Sequence, residues 1–168
     1  FGAKGVIVHG GSVGEGGDIG QGYENWGKAI KEVEDIGVRV LVENTAGGKN
    51  SVARYMDSIE RLWEVIGHLN VGLCLDTCHT WAGGIPTIEA VKGFKKLVKK
   101  IDLIHFNDSK DGFESSRDRH ENLGKGQIPK EELEYVIKNA KTDIIVETPN
   151  GPDAQKKDIA WIKRRLKK

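Results

Sequence analysis

Val71-Gly72-Leu73-Cys74-Leu75, followed at once by Asp76 and three residues later by His79, is the stretch on which the fold reading turns. A short apolar run of this kind predicts a strand buried on both faces, as in a parallel sheet. Four more runs share its character: Gly5-Val6-Ile7-Val8, Val38-Arg39-Val40-Leu41-Val42, Ile101 to Phe106, and Asp143 to Val146. Between them lie segments with apolar residues three and four apart: Tyr23, Trp26, Ile30, Val33; then Val52, Tyr55, Ile59, Leu62, Ile66; then Ile88, Val91, Phe94, Val98; then Leu133, Val136, Ile137, Ala140. That spacing gives each segment one apolar face and predicts a helix. Pro129 before Lys130-Glu131-Glu132 marks a helix start. Ala154, Ile159, Ile162 and Leu166 give the closing segment its expected inner face.

Strand and helix alternating five times predict an α/β protein with a parallel sheet, because consecutive parallel strands are joined through a crossover helix. An open doubly wound sheet and a closed barrel are both built from this unit. The residues at the strand ends discriminate. His9, Glu43 and Asp76 end the first three runs, His105 lies in the fourth just before Phe106, and Glu147 follows the fifth. In a barrel the C-terminal ends of all strands open into one mouth, so such residues converge there. His79, Asp118 and His120 stand close behind strand ends, and alternation in an extended loop points 118 and 120 the same way. Nitrogen and carboxylate ligands without thiolate suit catalytic zinc or a similar borderline cation. Eight candidates, with Glu43 as a bridge, are enough for two or three ions, and clusters of that kind serve phosphoester hydrolysis.

Composition narrows the partners. The 168 residues carry a formal charge of +1, so charge alone draws the chain to no polyanion. No apolar run reaches the ~20 residues of a spanning helix, and the N-terminus lacks a secretion-signal layout. Two cysteines make no disulfide framework. The expectation is a cytoplasmic protein without membrane attachment.

Beyond spacing, the wording of six blocks matters: Val8-His9-Gly10-Gly11-Ser12, Val42-Glu43-Asn44-Thr45-Ala46-Gly47, Cys74-Leu75-Asp76-Thr77-Cys78-His79, His105-Phe106-Asn107-Asp108-Ser109-Lys110, Asp118-Arg119-His120 with Leu123-Gly124-Lys125-Gly126, and Glu147-Thr148-Pro149-Asn150. Together, in this order, they closely resemble the endonuclease IV family of apurinic/apyrimidinic (AP) DNA repair enzymes. The resemblance implies a TIM-type (β/α) barrel with up to three Zn²⁺ ions, acting in base excision repair on double-stranded DNA that contains abasic sites. Such an enzyme hydrolyses the phosphodiester 5′ to the abasic site and leaves a 3′-hydroxyl. His9 and Glu43 then resemble ligands of a first zinc, Glu43, Asp76, His105 and Glu147 those of a second, and His79, Asp118 and His120 those of a third. Glu43 would bridge the first two ions, and Glu147 would orient the hydroxide nucleophile held between them.

The family pattern also has a further zinc-binding His and DNA-probing loops upstream of the strand that carries His9. Five of eight strand–helix units are present here, about 80 residues fewer than a barrel of about 250. Residues 1–168 are therefore expected to form one domain, the C-terminal portion of an incomplete barrel with two open sheet edges. Gly10 stands where the family usually has proline.

Several features read as ordinary. His68 sits at a helix exit, where a polar residue is common. Cys74 and Cys78 lack zinc spacing and suit core packing. The basic runs Lys95-Lys96, Lys99-Lys100 and Lys163 to Lys168 suit solvated helix faces. Lys110, Arg117, Arg119 and Lys125 lie in loops beside proposed ligands and are the candidates for DNA phosphate contacts. Gly47-Gly48-Lys49 and Gly124-Lys125-Gly126 lack the spacing of a nucleotide loop and read as flexible mouth loops. Two other functions fit parts of the pattern. Glu43, Asp76, His105 and Glu147 alone would satisfy a single-metal sugar isomerase or epimerase of the related barrel type, and a truncated, non-catalytic remnant is the other alternative.

Overall fold

The computed structural model describes residues 2–167; Phe1 and Lys168, the end of the last basic run, lie outside them. Five parallel strands form one sheet: β1 (Gly5–His9), β2 (Arg39–Glu43), β3 (Val71–Asp76), β4 (Leu103–Phe106) and, after a small two-stranded ribbon of β5 (Asp108–Ser109) and β6 (His120–Glu121), β7 (Asp143–Val146). Their order is β1-β2-β3-β4-β7, all parallel. Helices α1 (Ile19–Glu32), α2 (Met56–Ile66), α3 (Thr77–Gly83), α4 (Thr87–Leu97), α5 (Lys130–Asn139) and α6 (Gly151–Leu166) connect and follow the strands. This is a half-barrel, the incomplete (β/α) architecture expected.

Strand periodicity separates two faces. Val42, Leu73, Leu75, Ile104 and Phe106 meet the helices' apolar stripes in the core. On the opposite face the register pairs His9 with Glu43 and Asp76 with His105. The same pleat therefore packs the core and brings chemistry-bearing residues to one end of the sheet. At the other end Arg39 donates to Asp102 at 2.5 Å and to the Val71 carbonyl at 2.6 Å, tying β2 to β3 and to the segment entering β4.

Caps join the elements. Asp18 accepts from Gly20 N and starts α1. Glu132, in the first turn of α5, accepts from Thr87 N at 2.6 Å and Ile88 N at 3.3 Å, satisfying free donors at the start of α4. Pro129 takes the cap position, so α5 begins one residue later than the proline suggested.

Four details differ from the sequence reading. Val52 and Tyr55 precede α2, with Val52 buried in the turn before it. Helix α3 and the β5–β6 ribbon have no apolar periodicity to announce them. Helix α6 turns Asp158, Trp161 and Ile162 inward and leaves Ile159 and Leu166 exposed. The loop at Gly124-Lys125-Gly126 is pinned rather than free: the buried Asp108 carboxylate accepts from Gly124, Gly126 and Ile128 N–H, each at 3.0 Å. Burial raises the Asp108 pKa, and these backbone donors oppose the rise.

Among the described residues, both rims of the sheet are open. Val6 and Val8 on β1 are 46% and 40% exposed, and Ile145 on β7 is 46% exposed. A groove of about 480 Å³ between β1 and α1 is lined by Val6, Val8, Trp26, Ile30 and Ile36. Among the described residues no helix is long and apolar enough to cross a membrane.

Candidate metal centre

Glu43, buried at the end of β2, is the hub. Its Oε2 lies 3.4 Å from His9 Nε2, and its Oε1 lies 2.9 Å from His105 Nδ1 and 3.4 Å from His79 Nδ1. His105 Nδ1 is also 3.2 Å from Glu147 Oε2. Donor atoms of Glu43, Asp76, His105 and Glu147 all lie within 4.8 Å of one another, as do those of His9, Glu43 and His79 and those of Asp76, His79 and His120. Asp118 closes the far side: Oδ2 is 3.0 Å from His79 Nε2, and Oδ1 is 3.0 Å from His120 Nε2. The structure thus brings all eight expected ligands into one cluster. His79 stands between His9 and His120, with ring centroids 5.4 and 5.8 Å away, so it faces two groups rather than one.

The local chain explains these positions. Asp76 ends β3 and its Oδ1 accepts from His79 N at 2.7 Å, so one carboxylate is both candidate ligand and cap of α3. That cap sets the first turn and with it the direction of His79. The imidazoles are oriented from behind: His79 Nδ1 contacts the Asn44 carbonyl at 2.9 Å, and His120 Nδ1 contacts the Glu147 carbonyl at 2.7 Å. A carbonyl partner makes Nδ1 the protonated nitrogen and leaves Nε2 to face the cluster, the arrangement usual for ligating histidines.

Two amides escaped the sequence reading. Buried Asn107 donates from Nδ2 to Asp76 Oδ2 at 2.7 Å, and its Oδ1 accepts from Cys78 N at 2.8 Å. Asn44 exchanges bonds with the Asp76 backbone, Nδ2 to Asp76 O at 3.2 Å and Asp76 N to Oδ1 at 2.8 Å. Each follows a strand-end candidate ligand by one or two residues, and that spacing was the available signal.

Electrostatics follow from crowding carboxylates on imidazoles. Burial pulls the His79 pKa down, but Asp76, Asp118 and Glu43 outweigh it and raise the value to about 9. Burial likewise opposes His120, which Asp118 and Asp76 hold up at about 9. His105 is raised against burial mainly by Glu43. The close approach of His120 and His79, 3.0 Å each, holds Asp118 far below the usual carboxylate range. Burial pushes the thiols the other way, Cys78 to about 12 and Cys74 well above its ordinary value, so both stay neutral near pH 7.

The residues fit a cation. His79 Nε2 is buried and has no aligned hydrogen bond, although Asp118 is near it. An orphaned buried nitrogen facing carboxylates is satisfied by a metal ion. The donors are imidazole and carboxylate, as borderline cations prefer.

The four candidate phosphate contacts divide. Lys110 and Lys125 are exposed in the loops that follow β5 and β6. Arg119 donates to both Asp111 oxygens, from Nε at 2.6 Å and from Nη2, and Arg117 lies 3.7 Å from the same carboxylate. Those two guanidiniums are partly neutralised where they stand.

Gly10 has a physical reason. Its N–H donates to the Glu43 carbonyl at 2.9 Å, and a Cβ placed on it would lie 2.2 Å from Ala53 Cβ. Proline would lose that bond and meet Ala53.

Candidate ligands gathered at the strand ends of a parallel half-barrel define a class, and the comparisons agree: the chain belongs to the xylose isomerase-like TIM barrel family, whose model matches residues 1–165. The likeness to endonuclease IV read from the six blocks is borne out within it. The chain is 46% identical over 166 residues to the probable endonuclease 4 of Mycobacterium ulcerans (strain Agy99), covering 99% of this chain and 65% of the relative. The crystal structure of endonuclease IV from Thermus thermophilus superposes with a TM-score of 0.78 at 30% identity, covering 99% of this chain and 62% of that one. A D-tagatose 3-epimerase-like protein superposes with a TM-score of 0.72 at 20% identity over 98% of this chain and 62% of its own, which shows the shared fold. The chain thus spans about two thirds of the length of the relatives it matches, 65% of the first.

Proposed function

We propose that the chain carries the metal-binding portion of a zinc-dependent AP endonuclease, which hydrolyses the phosphodiester 5′ to an abasic site in double-stranded DNA and leaves a 3′-hydroxyl. We also propose that residues 1–168 act as one domain and that the protein works in the cytoplasm, where the free thiols Cys74 and Cys78 stay reduced. One observation carries the reading: the Asp118 carboxylate reaches His79 and His120 at 3.0 Å each, a third group beyond the quartet that a single-ion isomerase needs.

His9, Glu43, Asp76, His105 and Glu147, with the trio of His79, Asp118 and His120, would hold up to three zinc ions. When bound, such ions supply Lewis-acid activation of water and neutralise charge on the scissile phosphate. The chain's own groups do the rest. Glu43 reaches His9, His79 and His105 and would be shared between ions. Glu147, with its side chain 38% exposed, would orient the attacking water and take its proton. Lys110 and Lys125 are free to meet phosphate oxygens on either side of the lesion.

The quartet of Glu43, Asp76, His105 and Glu147 also suits a sugar isomerase or epimerase with one ion. Metal content separates the two readings: elemental analysis of the zinc-loaded chain yields about three ions per chain for the nuclease and about one for the isomerase. The chain is then incubated with a duplex containing one abasic site, both alone and joined to the N-terminal residues of a curated relative. Incision 5′ to the lesion is expected. A single ion with no incision in either form refutes the proposal, and incision only in the joined form marks the chain alone as non-catalytic.

A further inference from the structure

Asp158 is out of place by hydropathy. On α6 it is 4% exposed beside Trp161 and Ile162, while the neighbouring Ile159 is 41% exposed. A helix that buries a carboxylate and exposes an isoleucine gives up apolar burial, and a buried charge persists only when it is fully hydrogen-bonded. This one is. Asp158 Oδ2 accepts from Asn122 Nδ2 at 2.7 Å and from Thr148 Oγ1 at 2.6 Å, and Oδ1 accepts from Leu123 N at 3.1 Å.

Its partners come from two places that no sheet joins. Asn122 and Leu123 follow His120 on leaving the ribbon, and Thr148 follows Glu147 after β7. Asn122 locks the junction further, donating to the Pro149 carbonyl at 3.1 Å and accepting from Asn150 Nδ2 at 2.7 Å. The knot therefore lies directly behind the contact between His120 Nδ1 and the Glu147 carbonyl at 2.7 Å. That contact turns His120 Nε2 toward Asp118.

We infer that Asp158 is a positioning residue for the metal cluster: by clamping the segments after His120 and Glu147 together, it sets the aim of His120 and hence cation affinity at the His79–Asp118–His120 group. The inference rests on the multi-ion reading above. It acts through a hydrogen-bonded layer behind the ligands, where substitutions typically weaken metal binding about 10–100-fold.

The test is titration of the metal-free chain with Co²⁺, followed by its visible absorption, with ions per chain counted by elemental analysis. Asp158→Asn keeps size and polarity but presents a donor to Asn122 and Thr148, and Thr148→Val removes one bond at nearly constant shape. Asp153→Asn on the exposed first turn of α6 is the control. The expected result is that the weakest class of Co²⁺ sites loses at least tenfold in affinity, or one ion per chain, in Asp158→Asn, with a smaller loss in Thr148→Val and none in the control. If Asp158→Asn fails to fold, Thr148→Val alone decides by the same loss. A parent that binds three ions and folded variants that bind three equally well overturn the inference alone. A parent that binds one ion overturns the multi-ion reading and the inference with it.

Discussion

Asp118 offers one oxygen to each of two imidazoles, and replacing it with asparagine tests whether that pairing serves a cation. Asp118→Asn is expected to lose one ion per chain, or about 10–100-fold in affinity for it, with the far-UV circular dichroism unchanged because its side chain is 51% exposed. The same pair sets a pH dependence. His79 and His120 hold their protons up to about 9, against an ordinary 6.5, so a cation arriving at pH 7 displaces both. Zn²⁺ affinity therefore rises with pH and levels off above about 9, and calorimetry in buffers of different ionisation enthalpy should detect the released protons. In the metal-free chain the sign is opposite. The raised values stabilise the fold below about 6.5, and that contribution is lost as pH rises through about 9. Gly10 makes a third test: Gly10→Pro should destabilise by about 2–4 kcal/mol through the lost hydrogen bond and the overlap with Ala53. Ala53→Gly in the same chain should recover the steric part, as read from urea midpoints.

Loops and short elements carry as much of the site as the strands do. Asp108→Ala leaves the N–H groups of Gly124, Gly126 and Ile128 without their buried acceptor, and a loss of about 3 kcal/mol in urea unfolding is expected, with faster amide exchange at Gly124 and Gly126. A Cβ on Gly126 would lie 2.3 Å from the Ser109 carbonyl, so that glycine serves close packing rather than freedom. The contrast shows what the sequence could disclose. The five strands were visible because strands buried in a parallel sheet read as near-continuous apolar runs, and their candidate ligands were visible because they stand where those runs stop. Helix α3 was not, since six of its seven residues are buried, on all sides, and nothing alternates. Its start is fixed by the Asp76 cap. The inward turn of Asp158 and the pinning of the Gly124 loop were hidden for a related reason: both depend on hydrogen bonds between segments far apart in the chain, which hydropathy does not register.

The five-stranded sheet places its cluster at one end and its apolar rims at the sides. The order of the strands, the helix-covered face and the gathering of His9, Glu43, Asp76, His105 and Glu147 at one end all follow from the repeated unit. What the repeat could not supply was the second tier of Asn44, Asn107 and Asp158, each buried and each hydrogen-bonded to a distant part of the chain. The rims have a consequence of their own. The unpaired flank of β1, with Val6 and Val8, differs from that of β7, with Ile145, so two copies meeting through them join nose to tail and leave a fresh flank at each end. Growth of that kind has no natural stopping size. Light scattering by the isolated chain should climb steadily with concentration, and a single lysine in place of Val8 should flatten the curve.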